Sequence, residues 1–261
     1  MFELQYILIG IIQGITEFLP ISSSGHLVLF AQLTYWEDQG LFTDIAVHFG
    51  TLFAVMIYLR KDIIYFLNNI FQFKLFEDQI IFKIILATLP AIILGYFIYD
   101  YVSLYFRSIQ LIALSSIVFA IILFFADKVK METKSWNKIT YMEAFIVGLF
   151  QVLAFIPGAS RAGVTITGAR LLGYDRLNAA RFSMILSMPI ILASMTLSLI
   201  NIFNEEYVAV NLHQSLSAAL VAFITALLSI IFLMRFIKKA NFNIFIIYRI
   251  VLGIVLLVIY V

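Results

Sequence analysis

The sequence contains no cysteine. Disulfides, iron–sulfur ligation and thiol nucleophiles are therefore excluded. Charge is scarce as well: Lys, Arg, Asp and Glu make up 12% of 261 residues, about half the share in an ordinary soluble domain. The formal net charge of +2 gives no footprint for nucleic acid. The start of the chain does not read as a cleavable signal, because it lacks a basic segment and Glu3 and Glu17 interrupt its apolar run. Only four prolines and twelve glycines occur, so each break they make is informative. The remainder is 63% hydrophobic, with a mean hydropathy of +1.05. Each crossing of a bilayer takes ~20 residues, so the expected fold is a single all-α polytopic bundle embedded in lipid.

Six apolar stretches are long enough to cross: Phe42–Leu59, Ile80–Tyr99, Ser108–Ala126, Phe182–Ile202, Gln214–Met234 and Ile244–Val261. The mixed stretch Asp62–Gln79 reads as interfacial. Lys and Arg favour cytoplasmic loops. Arg60, Lys61, Lys74 and Lys83 fall in one loop, Lys128, Lys130, Lys134 and Lys138 in a second, and Arg235, Lys238 and Lys239 in a third. The alternate loops carry Glu37, Asp38 and Asp44, then Arg107 as a single cation, then Glu205 and Glu206. All six spans satisfy this alternation.

Two further apolar regions, Phe2–Tyr35 and Tyr141–Leu172, are each broken near the middle by Pro and Gly. Parity requires the second to leave the cytoplasm and return, as a re-entrant hairpin tipped by Pro157–Arg161. By the same pattern the first enters from the outer side, with its tip at Phe18–His26. Gly10–Gly25 (GIIQGITEFLPISSSG) also lines up with Gly148–Gly163 (GLFQVLAFIPGASRAG). The expectation is an inverted-topology repeat with halves at about 1–130 and 135–261, six transmembrane helices and two re-entrant hairpins. Sites in such folds form at mid-membrane from broken helices.

The first tip is polar. Gln13 and Glu17 are four residues apart and share a helix face. A carboxylate at membrane depth costs at least ~2.5 kcal/mol, so it marks function by default. Glu17 with Gln13 as a neutral oxygen ligand suits a hard divalent cation; Glu17 alone suits a general base. Pro20 stops the helix. Of the three hydroxyls that follow, Ser22 or Ser24 is expected to cap the next helix, and Ser23 to be the reactive one. His26 is a candidate proton donor and acceptor.

The second tip carries the opposite charge. Pro157, Gly158, Ala159 and Gly163 keep bulk off the backbone, Ser160 can cap the helix that follows, and free N–H groups at a helix start bind anions. Arg161 adds a forked cation matched to phosphate, and Thr165 lies one turn on. The competing reading makes Arg161 a structural ion pair with Glu17 or Asp44. Arg170, Arg176 and Arg181 are expected to serve topology or lipid headgroups, with Asp175 paired to one of them. Glu143 is expected to favour a helix start. Asp44 and His48 are expected to support the outer rim, and His213 carries no assignment.

QGITEFLPISSSGHL, TDIAVHFGTLFAV and FIPGASRAGVTI followed by GYDRLNAARFSMILSMP resemble the undecaprenyl-diphosphate phosphatase family, also called the bacitracin-resistance protein family. The resemblance covers nearly the whole chain. It implies a bacterial inner-membrane enzyme that converts undecaprenyl diphosphate to the monophosphate carrier of peptidoglycan synthesis. It further implies dependence on a divalent cation, Mg2+ or Ca2+, and an active site open to the periplasm. The family's acidic motif falls on Gln13 and Glu17, its serine on Ser23, its histidine on His26 and its arginine motif on Ser160 and Arg161, with Thr165 beyond. Ser22, Ser24 and Gly158 complete the expected phosphate-binding set. Gln13 stands where some members have Glu, and Ala162 where many have Ser, so no hydroxyl is required there. Likeness to the type-2 phosphatidic acid phosphatases is confined to Ser24-Gly25-His26 and Ser160-Arg161 and reads as convergent.

Both attack by Ser23 and direct attack by water are compatible with these residues. A lipid-phosphate transporter or flippase using the same cavity is the main rival, and a membrane scaffold a third reading. The expected partners are the polyprenyl diphosphate and the bilayer, with room for a homodimer and none for nucleic acid.

Overall fold

The computed structural model describes residues 2–34, 36, 39–71, 79–105, 108–132, 134–204 and 212–260. The charges at Glu37, Asp38, Lys74, Arg107, Glu205 and Glu206 lie outside the described residues. The described chain is helical, with one isolated bridge between Glu132 and Tyr174. The helices are α1 (Phe2–Thr16), α2 (Ser23–Thr34), α3 (Leu41–Tyr58), α4 (Arg60–Phe71), α5 (Ile80–Tyr105), α6 (Ile109–Asp127), α7 (Tyr141–Val152), α8 (Arg161–Leu171), α9 (Arg176–Asn204), α10 (Leu212–Phe236) and α11 (Asn243–Tyr260).

Six of these, α3, α5, α6, α9, α10 and α11, are long and apolar enough to cross a membrane. This agrees with the six stretches read from sequence, and the protein is a multi-span membrane protein. Many large apolar side chains on them point outward, among them Phe97, Phe125, Leu220 and Val258; in a bilayer such faces meet lipid. α1 and α7 are different. At 15 and 12 residues they reach only about 22 and 18 Å at 1.5 Å per residue, short of a ~30 Å hydrocarbon core. Each stops before a proline, Pro20 or Pro157, and the chain then turns into a second short helix, α2 or α8.

Local chemistry sets these boundaries. Ser108 caps α6 by accepting from the Leu111 N–H at 3.2 Å. Thr140 and Glu143 form a reciprocal capping box at the start of α7, the role expected for Glu143.

Packing follows a paired scheme. α10 lies against both α1 and α3, while α5 lies against both α7 and α9. α3 packs on α9, and α6 on α11. Exchanging α1, α2, α3, α5 and α6 for α7 to α11 swaps the α1–α10 contact with α5–α7 and the α3–α10 contact with α5–α9, and returns α3–α9 and α6–α11 to themselves. The close approach of α1 to α10 needs Gly10, where an added Cβ would lie 2.5 Å from the Ala218 carbonyl oxygen. Its aligned partner Gly148 meets the Ala87 carbonyl oxygen of α5 in the same way, at 2.6 Å. Small residues let helices meet at backbone distance in this manner.

Candidate active site

The two tips meet. Glu17, just past α1, is 8% exposed. Its Oε1 accepts from Nη2 of Arg161 at 2.9 Å, and its Oε2 accepts from Ser23 Oγ at 2.8 Å and from Gln13 Nε2 at 3.0 Å. Residues 144 positions apart thus share one carboxylate. The ion pair named as the competing reading of Arg161 is present, and it holds the guanidinium on the same carboxylate as the Ser23 hydroxyl.

Arg161 is the first residue of α8 and its side chain is 13% exposed. It is fixed from three sides. Nη1 donates to the Ser183 carbonyl of α9 at 3.1 Å, Nη2 to Glu17, and the Phe18 ring lies 5.8 Å from the guanidinium carbon.

Both tips use the same backbone device. Ser22 and Ser160, each immediately before a helix, have φ of 76° and 71°, a left-handed conformation uncommon outside glycine. Each turns its hydroxyl back on the new helix: Ser22 Oγ accepts from Gly25 N–H at 3.4 Å, and Ser160 Oγ from Gly163 N–H at 3.1 Å. Both are buried and act as caps, as expected of Ser160 and of one of the flanking serines. Ser24 is exposed and lies 3.5 Å from Ser22 Oγ. The residue after each cap, Ser23 or Arg161, is the one delivered to Glu17.

Other candidates are placed less directly. Thr165 is fully buried, and its hydroxyl bonds the Arg161 carbonyl at 2.8 Å and Ser183 Oγ at 2.6 Å. It locks α8 to α9 behind Arg161. Gly158, at φ 90°, sits against Ile112 and Ser115 where a Cβ has no room. Its carbonyl accepts from Ser116 Oγ at 3.4 Å, and the neighbouring Pro157 carbonyl accepts from Ser115 Oγ. His26 is engaged at both ring nitrogens: Nδ1 faces the Ser22 carbonyl at 2.6 Å, and Nε2 the Tyr248 hydroxyl at 2.6 Å. Neither nitrogen contacts Ser23. In α3, Asp44 accepts from Gln39 Nε2 at 2.8 Å, and His48 Nδ1 lies 2.7 Å from the Asp44 carbonyl.

Two residues of α11 escaped the sequence reading. Tyr248 holds His26. Arg249 is completely buried. Its Nη1 donates to the Pro20 carbonyl at 3.3 Å, and its Nη2 to the Gly158 and Ala159 carbonyls at 2.8 and 3.0 Å. One guanidinium therefore clasps both tips, and no carboxylate pairs with it among the described residues. A lone arginine inside an apolar span is itself the signal; assigning cations to loops passed over it.

The cationic end needs one correction. Asp175 does not pair with an arginine. It caps α9, accepting from the Asn178 backbone at 2.8 Å and side chain at 2.6 Å. Asp127 takes both Arg170 (3.3 Å) and Arg176 (2.7 Å), and Asp62 takes Arg181 at 2.7 Å. Arg170 is fully buried, and a buried cation needs an anion and extra acceptors. Those acceptors are the Asp127 and Val129 carbonyls, at 2.8 and 2.9 Å, and the Tyr174 carbonyl. Arg170 and Arg176 thus hold the fold together rather than facing headgroups.

A family model described as "Bacitracin resistance protein BacA" matches residues 6–255. A Saccharophagus degradans protein named "Undecaprenyl-diphosphatase" is 43% identical over 254 residues, covering 96% of this chain and 95% of that one. An Alcanivorax borkumensis protein of the same name is 40% identical over 258 residues, covering 97% of each.

Proposed function

The chain belongs to the bacitracin resistance protein family, and we propose that it is an integral-membrane phosphatase that hydrolyses undecaprenyl diphosphate to undecaprenyl phosphate and inorganic phosphate. One observation carries the reading to residues: the Glu17 carboxylate holds the Ser23 hydroxyl on one oxygen and the Arg161 guanidinium on the other. Nucleophile, base and anion-binding group are already within reach of one another, as such a site requires.

The terminal phosphate enters beside Arg161 and the free N–H groups at the start of α8. Positioning and charge neutralisation supply most of the catalysis in phosphoryl transfer. Ser23 Oγ attacks the terminal phosphorus and gives its proton to Glu17. The bond to the bridging oxygen breaks, Glu17 passes that proton to the departing undecaprenyl phosphate, and the carboxylate is restored as a base. Water, deprotonated by Glu17, then attacks the phosphoserine and releases phosphate, and the proton returns to Ser23. The 2.8 Å contact makes Glu17 the partner of Ser23; His26 shapes the tip through Ser22.

The donor set also fits a hard cation, Mg2+ or Ca2+. Glu17 offers a carboxylate, and Gln13 Oε1 is a buried oxygen with no hydrogen-bond partner. Among the described residues no three His, Asp or Glu side chains gather into a cage. That suits an ion held by one carboxylate together with substrate phosphate oxygens. Such an ion would supply charge neutralisation at the diphosphate.

The helix exchange, with Gly10 and Gly148 in matching contacts, supports two inverted repeat halves whose hairpins are re-entrant. The gathering of cations at the opposite end supports a chamber that opens to the periplasmic side. The comparisons lend nothing to the transport reading.

The test is phosphate release by purified protein in detergent, with and without chelator. Wild type releases phosphate, and Glu17→Gln, Ser23→Ala and Arg161→Ala lose at least about 10²-fold while remaining folded. Full activity in Ser23→Ala, with no trapped phosphoenzyme, would remove the covalent route. Activity in all three would remove the site.

A further inference from the structure

At the cation-rich end of the bundle, a cavity of about 570 Å3 opens between α3, α9 and α10. Arg181, Arg235 and Lys238 line it, with Tyr58 and Met234. A second cavity of about 590 Å3 adjoins it, with Ile231, Arg235 and Lys238 bordering both. The second adds Leu228, Phe232 and Lys239. A third, sharing Arg181 and Tyr58 with the first, adds Arg60, Lys61 and Asp62. The result is one groove with a cationic head and an apolar tail that runs down the α10 flank.

Among the described residues six cations border this groove, and Asp62 is the one carboxylate lining it. Asp62 is already spent on Arg181, whose Nη2 donates to its two oxygens at 2.7 and 2.8 Å. Arg235, Lys238 and Lys239 have no ion-pair partner among the described residues. Arg181 is held in place by Asp62 and by the Trp136 ring, 5.5 Å from its guanidinium carbon. Its Nε is buried without a hydrogen-bond partner.

Topology alone asks only that cations sit on this side of the membrane. It does not ask that Arg181 and Arg235, on two different helices, converge on one cavity beside exposed Leu228 and Phe232. The groove is also distinct from the chamber. Ser183, which meets Arg161 and Thr165, is two residues from Arg181, about 200° around α9 at 3.6 residues per turn. The two arginines therefore work on opposite faces of that helix.

We propose that this groove binds the phosphate headgroup of an anionic glycerophospholipid of the cation-rich leaflet, with an acyl chain lying along Leu228, Ile231 and Phe232. Basic pockets between membrane helices recognise such headgroups. Arg235 and Lys238 take the phosphate, and Arg181 sets the wall.

The full-length protein, delipidated in neutral detergent, is titrated with phosphatidylglycerol and, separately, with phosphatidylcholine of the same acyl chains. Bound lipid is counted by native mass spectrometry. Arg235→Gln with Lys238→Gln weakens binding of one phosphatidylglycerol by about tenfold or more and leaves phosphatidylcholine unchanged. The charge-matched pair Lys128→Gln with Lys130→Gln, elsewhere among the basic loops, leaves that lipid bound. Equal losses in the two double variants would overturn the proposal in favour of diffuse attraction to a basic rim. Unchanged binding in the first variant would overturn it outright, as would complete displacement of the lipid by millimolar inorganic phosphate, which would make this a free-anion site. The lipid count does not depend on catalysis, so its outcome is separable from that of the phosphate-release assay.

Discussion

Tyr248 and His26 stack with ring centroids 5.7 Å apart and planes 9° from parallel, and the phenolic oxygen lies 2.6 Å from Nε2. Nδ1 faces a carbonyl, that of Ser22, which only accepts. In the neutral ring Nδ1 therefore carries the proton, and Nε2 receives the tyrosine hydroxyl. Through this chain α11 sets the backbone of Ser22, and Ser22 sets where Ser23 begins its helix. Tyr248→Phe is expected to lower phosphate release by about 3- to 10-fold, the worth of one net hydrogen bond. In a His26→Ala background the same change is expected to cost nothing further. A double-mutant cycle measures the coupling; fully additive losses would mean that the contact plays no part.

Arg161→Lys keeps the charge and loses the fork. Lysine cannot at once hold the Ser183 carbonyl, the Glu17 carboxylate and an incoming phosphate. We expect a loss of about 10²-fold in kcat/KM with little change in Tm. An equal fall in Tm and activity would assign Arg161 to the fold alone.

Arg249→Met strands the carbonyls of Pro20 and Ala159 in the interior, leaves that of Gly158 only its bond from Ser116, and is expected to destabilise by about 3 kcal/mol. Arg249→Lys keeps a cation that reaches one tip but does not span both. Its activity is expected to fall further than its stability, read as phosphate release against thermal unfolding in the same detergent. A lysine variant with wild-type turnover would show that the clasp is dispensable.

Glu143 gives a pH-dependent test away from the spans. Burial pushes its carboxyl up, but hydrogen bonds from the Thr140 backbone, Tyr174, the Thr140 side chain and Lys134 outweigh this and hold it below the usual range. A depressed carboxylate stabilises the fold above its unfolded pKa, and that contribution disappears as pH falls through the folded value. Glu143→Gln is therefore expected to lower Tm by a few degrees at pH 7, about 1 kcal/mol of capping. As pH falls below about 4, the ordinary glutamate range, the gap between the two proteins should narrow and go on narrowing toward the lower folded value. A gap that stays constant from pH 7 through that range would contradict the assignment.

The sequence showed most of what lies along the chain and little of what crosses it. Pro20 and Pro157 broke two apolar runs, and Glu17 and Arg161 were each too costly at depth to be incidental; their meeting follows from opposite charge and matching breaks. The cap roles of Ser160 and Glu143 were legible because capping is local. Tyr248 and Arg249 were not, since each meets its partners more than 80 residues away. Asp175 was assigned to a neighbouring arginine by proximity, yet Asp127 and Asp62 from distant segments hold the arginines. Thr165 lay at the right spacing from Arg161, but spacing does not tell which way a hydroxyl turns. Here it turns toward Ser183.

The clasp at Arg249 has a consequence for biogenesis. It belongs to α11, the final described helix, while the loops it gathers belong to segments translated long before. A nascent chain halted ahead of Asn243 would carry Glu17, Ser23 and Arg161 into the membrane without the guanidinium that joins Pro20 to Gly158 and Ala159. The order of synthesis thus makes the clasp the last of these contacts to form, after the closing helix inserts.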